Sequence, residues 1–153
     1  MKYISDFSKV NLKKITKFMS TNYSAVIEEG KVPSAYMTGD VSYKKQSSDI
    51  HPENTVIKEV TFEPCARSNW HINASLHMLI AKDGVGYYQE RGSAARILLK
   101  DEVVTILPGV EHWYGATPFD KFSYVAIITE IDKGHGTWLE KVTDAEYFLL
   151  SSR

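Results

Sequence analysis

The chain has 153 residues, of which 43% are hydrophobic, 12% aromatic and 24% charged. That suits one globular domain with a real core and excludes a disordered chain. Its 18 basic and 19 acidic residues nearly cancel, which removes the electrostatic reason to expect nucleic acid.

No apolar run nears the ~20 residues of a membrane span, and Met1-Lys2-Tyr3-Ile4-Ser5-Asp6 lacks the apolar core of a signal peptide. Cys65 is the sole cysteine, so no internal disulfide forms, and the expected setting is the reducing cytoplasm. From Ser8 to Met19 the residues Val10, Leu12, Ile15, Phe18 and Met19 recur at roughly helical spacing between Lys9, Lys13, Lys14 and Lys17. This predicts a short amphipathic helix within an N-terminal segment, residues 1–34, that packs on the body or on a partner. From about Val32 the pattern is β. Turn signals at Thr38-Gly39-Asp40, Glu63-Pro64, Lys82-Asp83-Gly84, Arg91-Gly92, Pro108-Gly109 and Thr117-Pro118 separate short strand-like runs. Val56, Val60 and Phe62 share one strand face, as do Phe122, Tyr124, Ala126 and Ile128. Closely spaced short strands predict an all-β sandwich or barrel over residues 35–153. Near the end, Thr143 with Glu146 three residues later has the capping-box pattern of a short helix.

The residues that carry chemistry are His71, His77 and His112. On a strand His71 and Asn73 point to one side. Asn73-Ala74-Ser75 reads as a turn that returns His77 on the adjacent strand, and His112 must arrive by tertiary folding. Three neutral imidazoles with an amide oxygen would suit a divalent transition metal with positions left open. Against this stands the ordinary reading of a histidine in a β-protein as a surface or satisfied core residue. His51 and His135 lie in polar loops and read as solvated. Trp70 and Trp113, one residue from His71 and His112, are expected on the outer face. Cys65 reads as a small buried residue. Arg67 is a candidate to neutralise an acidic substrate, and Met37, Met78 and Tyr88 are candidates to line a cavity.

The stretch Phe62-Glu63-Pro64-Cys65-Ala66-Arg67-Ser68-Asn69-Trp70-His71 resembles the first motif of the cupin superfamily, with Gly84 closing it at the expected spacing. Val104-Thr105-Ile106-Leu107-Pro108-Gly109-Val110-Glu111-His112 resembles the second. Gly86-Tyr87-Tyr88-Gln89-Glu90 and His112-Trp113-Tyr114-Gly115-Ala116 are similar to small single-domain cupins related to manganese-dependent hydroxynitrile lyases and to carboxymuconolactone decarboxylase-associated cupins. The resemblance covers roughly residues 35–147. It implies a double-stranded β-helix (jelly-roll) barrel, a metal (Mn, Fe, Ni or Zn) on His71, His77 and His112 with Asn73 as a weak fourth ligand, and a homodimer. It also marks departures. Asn73 stands where a second His is usual and His77 where Glu or Gln is usual. Tyr114 replaces the lyase branch's basic His and is the candidate catalytic residue. Cys65 and Asp101 replace turn glycines. Two functions follow: a metalloenzyme acting on a small oxygenated compound as a lyase, isomerase or oxygenase, or a non-catalytic small-ligand-binding or accessory barrel.

Overall fold

A computed structural model of the chain describes residues 26–46 and 54–152. The expected helix over Ser8–Met19 and the loop residue His51 lie outside the described residues.

Among the described residues, thirteen short strands form two antiparallel sheets. They are β1 (Val26–Lys31), β2 (Met37–Thr38), β3 (Val41–Gln46), β4 (Val56–Phe62), β5 (Arg67–Ser68), β6 (His71–Ile72) and β7 (His77–Gly84). β8 (Gly86–Glu90), β9 (Arg96–Leu98), β10 (Val103–Ile106), β11 (His112–Ala116), β12 (Phe122–Ile128) and β13 (Thr137–Trp138) follow. One sheet runs β1-β3-β4-β12-β7-β10. The other runs β13-β6-β11-β5-β2, and β8 pairs with both β11 and β9. The extended end of the N-terminal segment thus enters the six-stranded sheet as β1, earlier than the sequence pattern suggested.

The period of two decides what lies between the sheets. Val60 and Phe62 of β4, Phe122, Tyr124 and Ala126 of β12, Leu79 and Ala81 of β7, and Val104 and Ile106 of β10 are all buried in one cluster. Full burial of each large member is worth roughly 1.5–3 kcal/mol. A second cluster holds Trp70, Tyr87, Trp113, Val142 and Tyr147 on the other side of the seven-stranded sheet. Both tryptophans therefore pack outward, as their parity required. The lid of that cluster is α1 (Asp144–Leu149), capped by Thr143 and Glu146 in the expected reciprocal box. Tyr147 is fully buried there and donates its hydroxyl to the Ala116 carbonyl at 2.6 Å.

Arg67 belongs to this lid. Its guanidinium donates to the Val142 and Cys65 carbonyls and to Asp144, and it stacks on Tyr147 at 4.3 Å. The expectation that Arg67 serves an acidic substrate is overturned, because its guanidinium is already engaged by the Val142 and Cys65 carbonyls and by Asp144 at the start of α1. Met78 is corrected too: it points out of the six-stranded sheet, since Leu79 is the inward residue. Met37 and Tyr88 are core.

Gly84 shows why the first motif ends in glycine. Its φ is +74°, and a Cβ there would lie 1.7 Å from the Lys121 carbonyl oxygen.

Candidate functional site

β6 and β11 are neighbours, and their register sets His71 directly opposite His112. The two rings lie 4.1 Å apart between centroids. Each imidazole is held by the same local device. The Nδ1 of His71 donates to the Asn69 carbonyl and that of His112 to the Val110 carbonyl, both at 2.9 Å and both two residues upstream. A carbonyl only accepts, so the proton sits on Nδ1 and each Nε2 presents a bare lone pair. Both Nε2 atoms are buried and without a hydrogen-bond partner. Unsatisfied buried polar atoms are uncommon and costly, and two side by side imply that something else satisfies them.

His77 does not return on the strand adjacent to His71. The turn after Asn73 carries the chain across to the facing sheet, where β7 lies between β12 and β10 and His77 pairs with Ile128 and Ile106. His112 takes the adjacent place instead. His77 faces the same cavity as His71 and Asn73. Among the described residues, no group of three or more His, Cys, Asp and Glu side chains is already drawn together as a metal cluster. The arrangement is a close imidazole pair on one sheet and a third imidazole across the cavity.

Burial, then the neighbouring His112, pushes His71 down to about 3, and burial followed by His112 and Lys58 pushes His77 down to about 4. His112 is lowered mainly by burial. All three are therefore neutral at pH 7, the state that ligates metal. The buried Nδ2 of Asn73 is also unpartnered, while its backbone carbonyl accepts from the Gly109 N–H.

The cavity measures about 440 Å³, within the range of small-molecule sites. Tyr114 reaches it from β11, edge-on to His71 at 5.0 Å and to Tyr124 at 5.2 Å. Burial raises the Tyr114 phenol, against the smaller opposing effect of a hydrogen bond with Tyr124, so at neutral pH it carries a proton. Trp138, which leans on His71 at 4.7 Å, and the Gly134-His135-Gly136 stretch complete the rim. His135 is exposed, as expected, but borders the opening.

The sequence reading passed over Lys45 and Lys58, which also line the cavity. The signal was present: Lys58 shares parity with Val56 and Val60 on β4.

No protein-family model matches the chain. The (R)-mandelonitrile lyase of Granulicella tundricola is 35% identical over 118 residues, 77% of this chain and 90% of that protein. A cupin-like protein of Thermotoga maritima has a TM-score of 0.73 and 42% identity over 79% of this chain and 92% of that one. A cupin 2 conserved barrel domain protein of Rhodopseudomonas palustris has a TM-score of 0.63 at 15% identity, over 82% of this chain and 84% of that one. At that identity it is similar in fold alone.

Proposed function

This chain belongs to the cupin superfamily, and from that premise we propose that it is a metalloenzyme with one divalent transition metal in its barrel, acting on a small oxygenated organic compound. His71 and His112 would hold the ion through Nε2, His77 would complete the set from the facing sheet, and Asn73 is the weaker fourth candidate. The observation that supports this is the pair of bare, buried Nε2 lone pairs, each fixed by an Nδ1–H to a backbone carbonyl. That second hydrogen bond is what orients ligating histidines. A bound ion would supply Lewis-acid polarisation of a substrate oxygen.

The chain's own residues do the rest. Apolar Leu79, Ala126 and Ile128 exclude water from one side of the cavity. Tyr114, whose ring lies 5.0 Å from that of His71 and 5.7 Å from that of His112, would donate its phenolic proton to a substrate oxygen. The lyase activity named for the Granulicella relative supports a lyase reading, with Tyr114 as proton donor where the resemblance calls for a basic His. We also read the protein as a homodimer working in the cytoplasm.

A second reading, a non-catalytic ligand-binding barrel, is favoured by one observation: no three-residue cluster is drawn together among the described residues. Elemental analysis of protein purified without chelator, beside His71→Ala and His77→Ala, separates the two. Near-stoichiometric metal in the native protein, falling at least tenfold in both variants, is the expected result. No retained metal after incubation with Mn, Fe, Ni and Zn would overturn the metalloenzyme reading in favour of the binding barrel.

A further inference from the structure

Two lysines point into the same cavity, and among the described residues that line it there is no carboxylate. β3 and β4 pair Lys45 with Lys58 on the inward face, and both line the cavity with His71, His77 and His135. None of the described lining residues is Asp or Glu. The cavity therefore carries a positive field inside low-dielectric walls, an arrangement that concentrates anions.

The two ammonium groups are not equivalent. Lys45 has a carboxylate partner, Glu28, at 3.5 Å. Lys58 makes no ion pair among the described residues, and its nearest described partner is the face of the Tyr43 ring at 5.6 Å. Lys58 is half-buried, and burial followed by the charge of Lys45 lowers it. Glu28, the one carboxylate that offsets this, is shared with Lys45, so two cations face a single anion, and a half-buried cation without a contact partner is unfavourable unless something pairs with it. Register places it within reach of the histidines. Lys58 stands opposite Ala126, two residues along from Ile128, which stands opposite His77. Strand spacing and rise put the Lys58 and His77 Cα atoms roughly 12 Å apart, with both side chains extending into the space between.

We propose that Lys58 docks a carboxylate, so that the cavity takes a small organic monoanion whose other end lies over the histidines. One free ammonium matches one negative charge. A phosphate dianion would want further donors, and Lys45 is already countered by Glu28. The proposal rests on the cavity being the ligand site of the preceding reading, but not on a metal being there.

The test uses benzoate and its uncharged analogue benzamide as probes, titrated calorimetrically into the full-length protein. Wild type, Lys58→Met and Lys58→Arg are each measured after chelator treatment and after metal loading. In chelated wild type, benzoate is expected to bind at least tenfold more tightly than benzamide. Lys58→Met should abolish that preference and Lys58→Arg should retain most of it. The melting temperature of unliganded Lys58→Met should equal or exceed that of wild type, because a half-buried charge without a contact partner has been removed. Equal binding of the two probes by wild type would overturn the proposal. So would a preference that survives Lys58→Met, and if that preference appears only with metal loaded, the carboxylate sits on the ion and the metal reading stands. A Lys58-dependent preference in a protein that never retains metal would sustain the anion site while the metalloenzyme reading falls.

Discussion

His71 is 4% exposed and held neutral, and this has a consequence for stability. In the unfolded chain a histidine titrates near 6.5, whereas burial and His112 take His71 down to about 3 and His77 to about 4. Between those limits the unfolded state binds protons that the folded state refuses. Stability therefore rises with pH across that window and is lost on acidification from about 6.5. At pH 5 the loss from His71 is set by the unfolded value alone, and comes to about 2 kcal/mol at ~1.4 kcal/mol per pH unit. Thermal melts of chelator-treated protein should show a falling midpoint from pH 7 to 5, with His71→Gln flattening the slope. A midpoint independent of pH over that range would mean that these imidazoles are not kept neutral by burial. Protons and metal compete for the same Nε2 atoms, so metal should be released over the same acid range.

The turn before β10 offers a test at the level of an element. Asp101 has a φ of +73°, and Cys65, before β5, has a φ of +70°, both in the left-handed region that costs an L-residue roughly 1–2 kcal/mol. The sequence resemblance had marked both as replacing glycines, and the backbone still adopts the glycine conformation. Asp101 is exposed, so a substitution there reads the backbone with little packing change. Asp101→Gly should raise stability by up to about 1 kcal/mol, offset in part by the freer unfolded chain. Asp101→Ala should lower it, since Asp tolerates this region better than Ala. Chemical denaturation of the pair measures the sign, and equal midpoints would refute the strain. Elements such as this turn, α1 with its Thr143–Glu146 box, and the inward faces of β4 and β12 were legible because turn chemistry, capping and parity are local. The partner of His71 was not. Whether the turn after Asn73 folds back within a sheet or crosses to the facing one depends on which strands pair, and no local pattern encodes that. Arg67 failed for the same reason: its parity with His71 was local, while α1, which claims it, is contributed by residues some 75 positions later.

At the scale of the whole molecule, the outer face of the six-stranded sheet is the surface that the proposed homodimer would use. Its inward residues alternate with Ile57, Met78, Ile80, Val103, Val125 and Ile127, and register lines these up. Ile57, Ile127 and Met78 form one row across β4, β12 and β7. Val125, Ile80 and Val103 form the next across β12, β7 and β10. Val103 is 48% exposed, and Leu107 beyond it is 57% exposed. A contiguous apolar face of this kind marks an interaction surface. Its apolar rows suit a second sheet, packed face to face with side chains interdigitating. The charges beside it, Lys82 and Glu59, already pair with each other at 3.0 Å, so two copies can meet there without like-charge repulsion. The occupant this favours is a second copy of the chain, related by a twofold axis. Sedimentation at tens of micromolar should give a dimer mass for the full-length protein. Ile80→Glu, which sets an uncompensated carboxylate in the middle of the face, should weaken the dimer at least a hundredfold. Benzoate binding in the barrel should survive that change, because Ile80 and the cavity lie on opposite faces of β7. A dimer indifferent to Ile80→Glu would place the interface elsewhere. A wild-type monomer would refute the dimer.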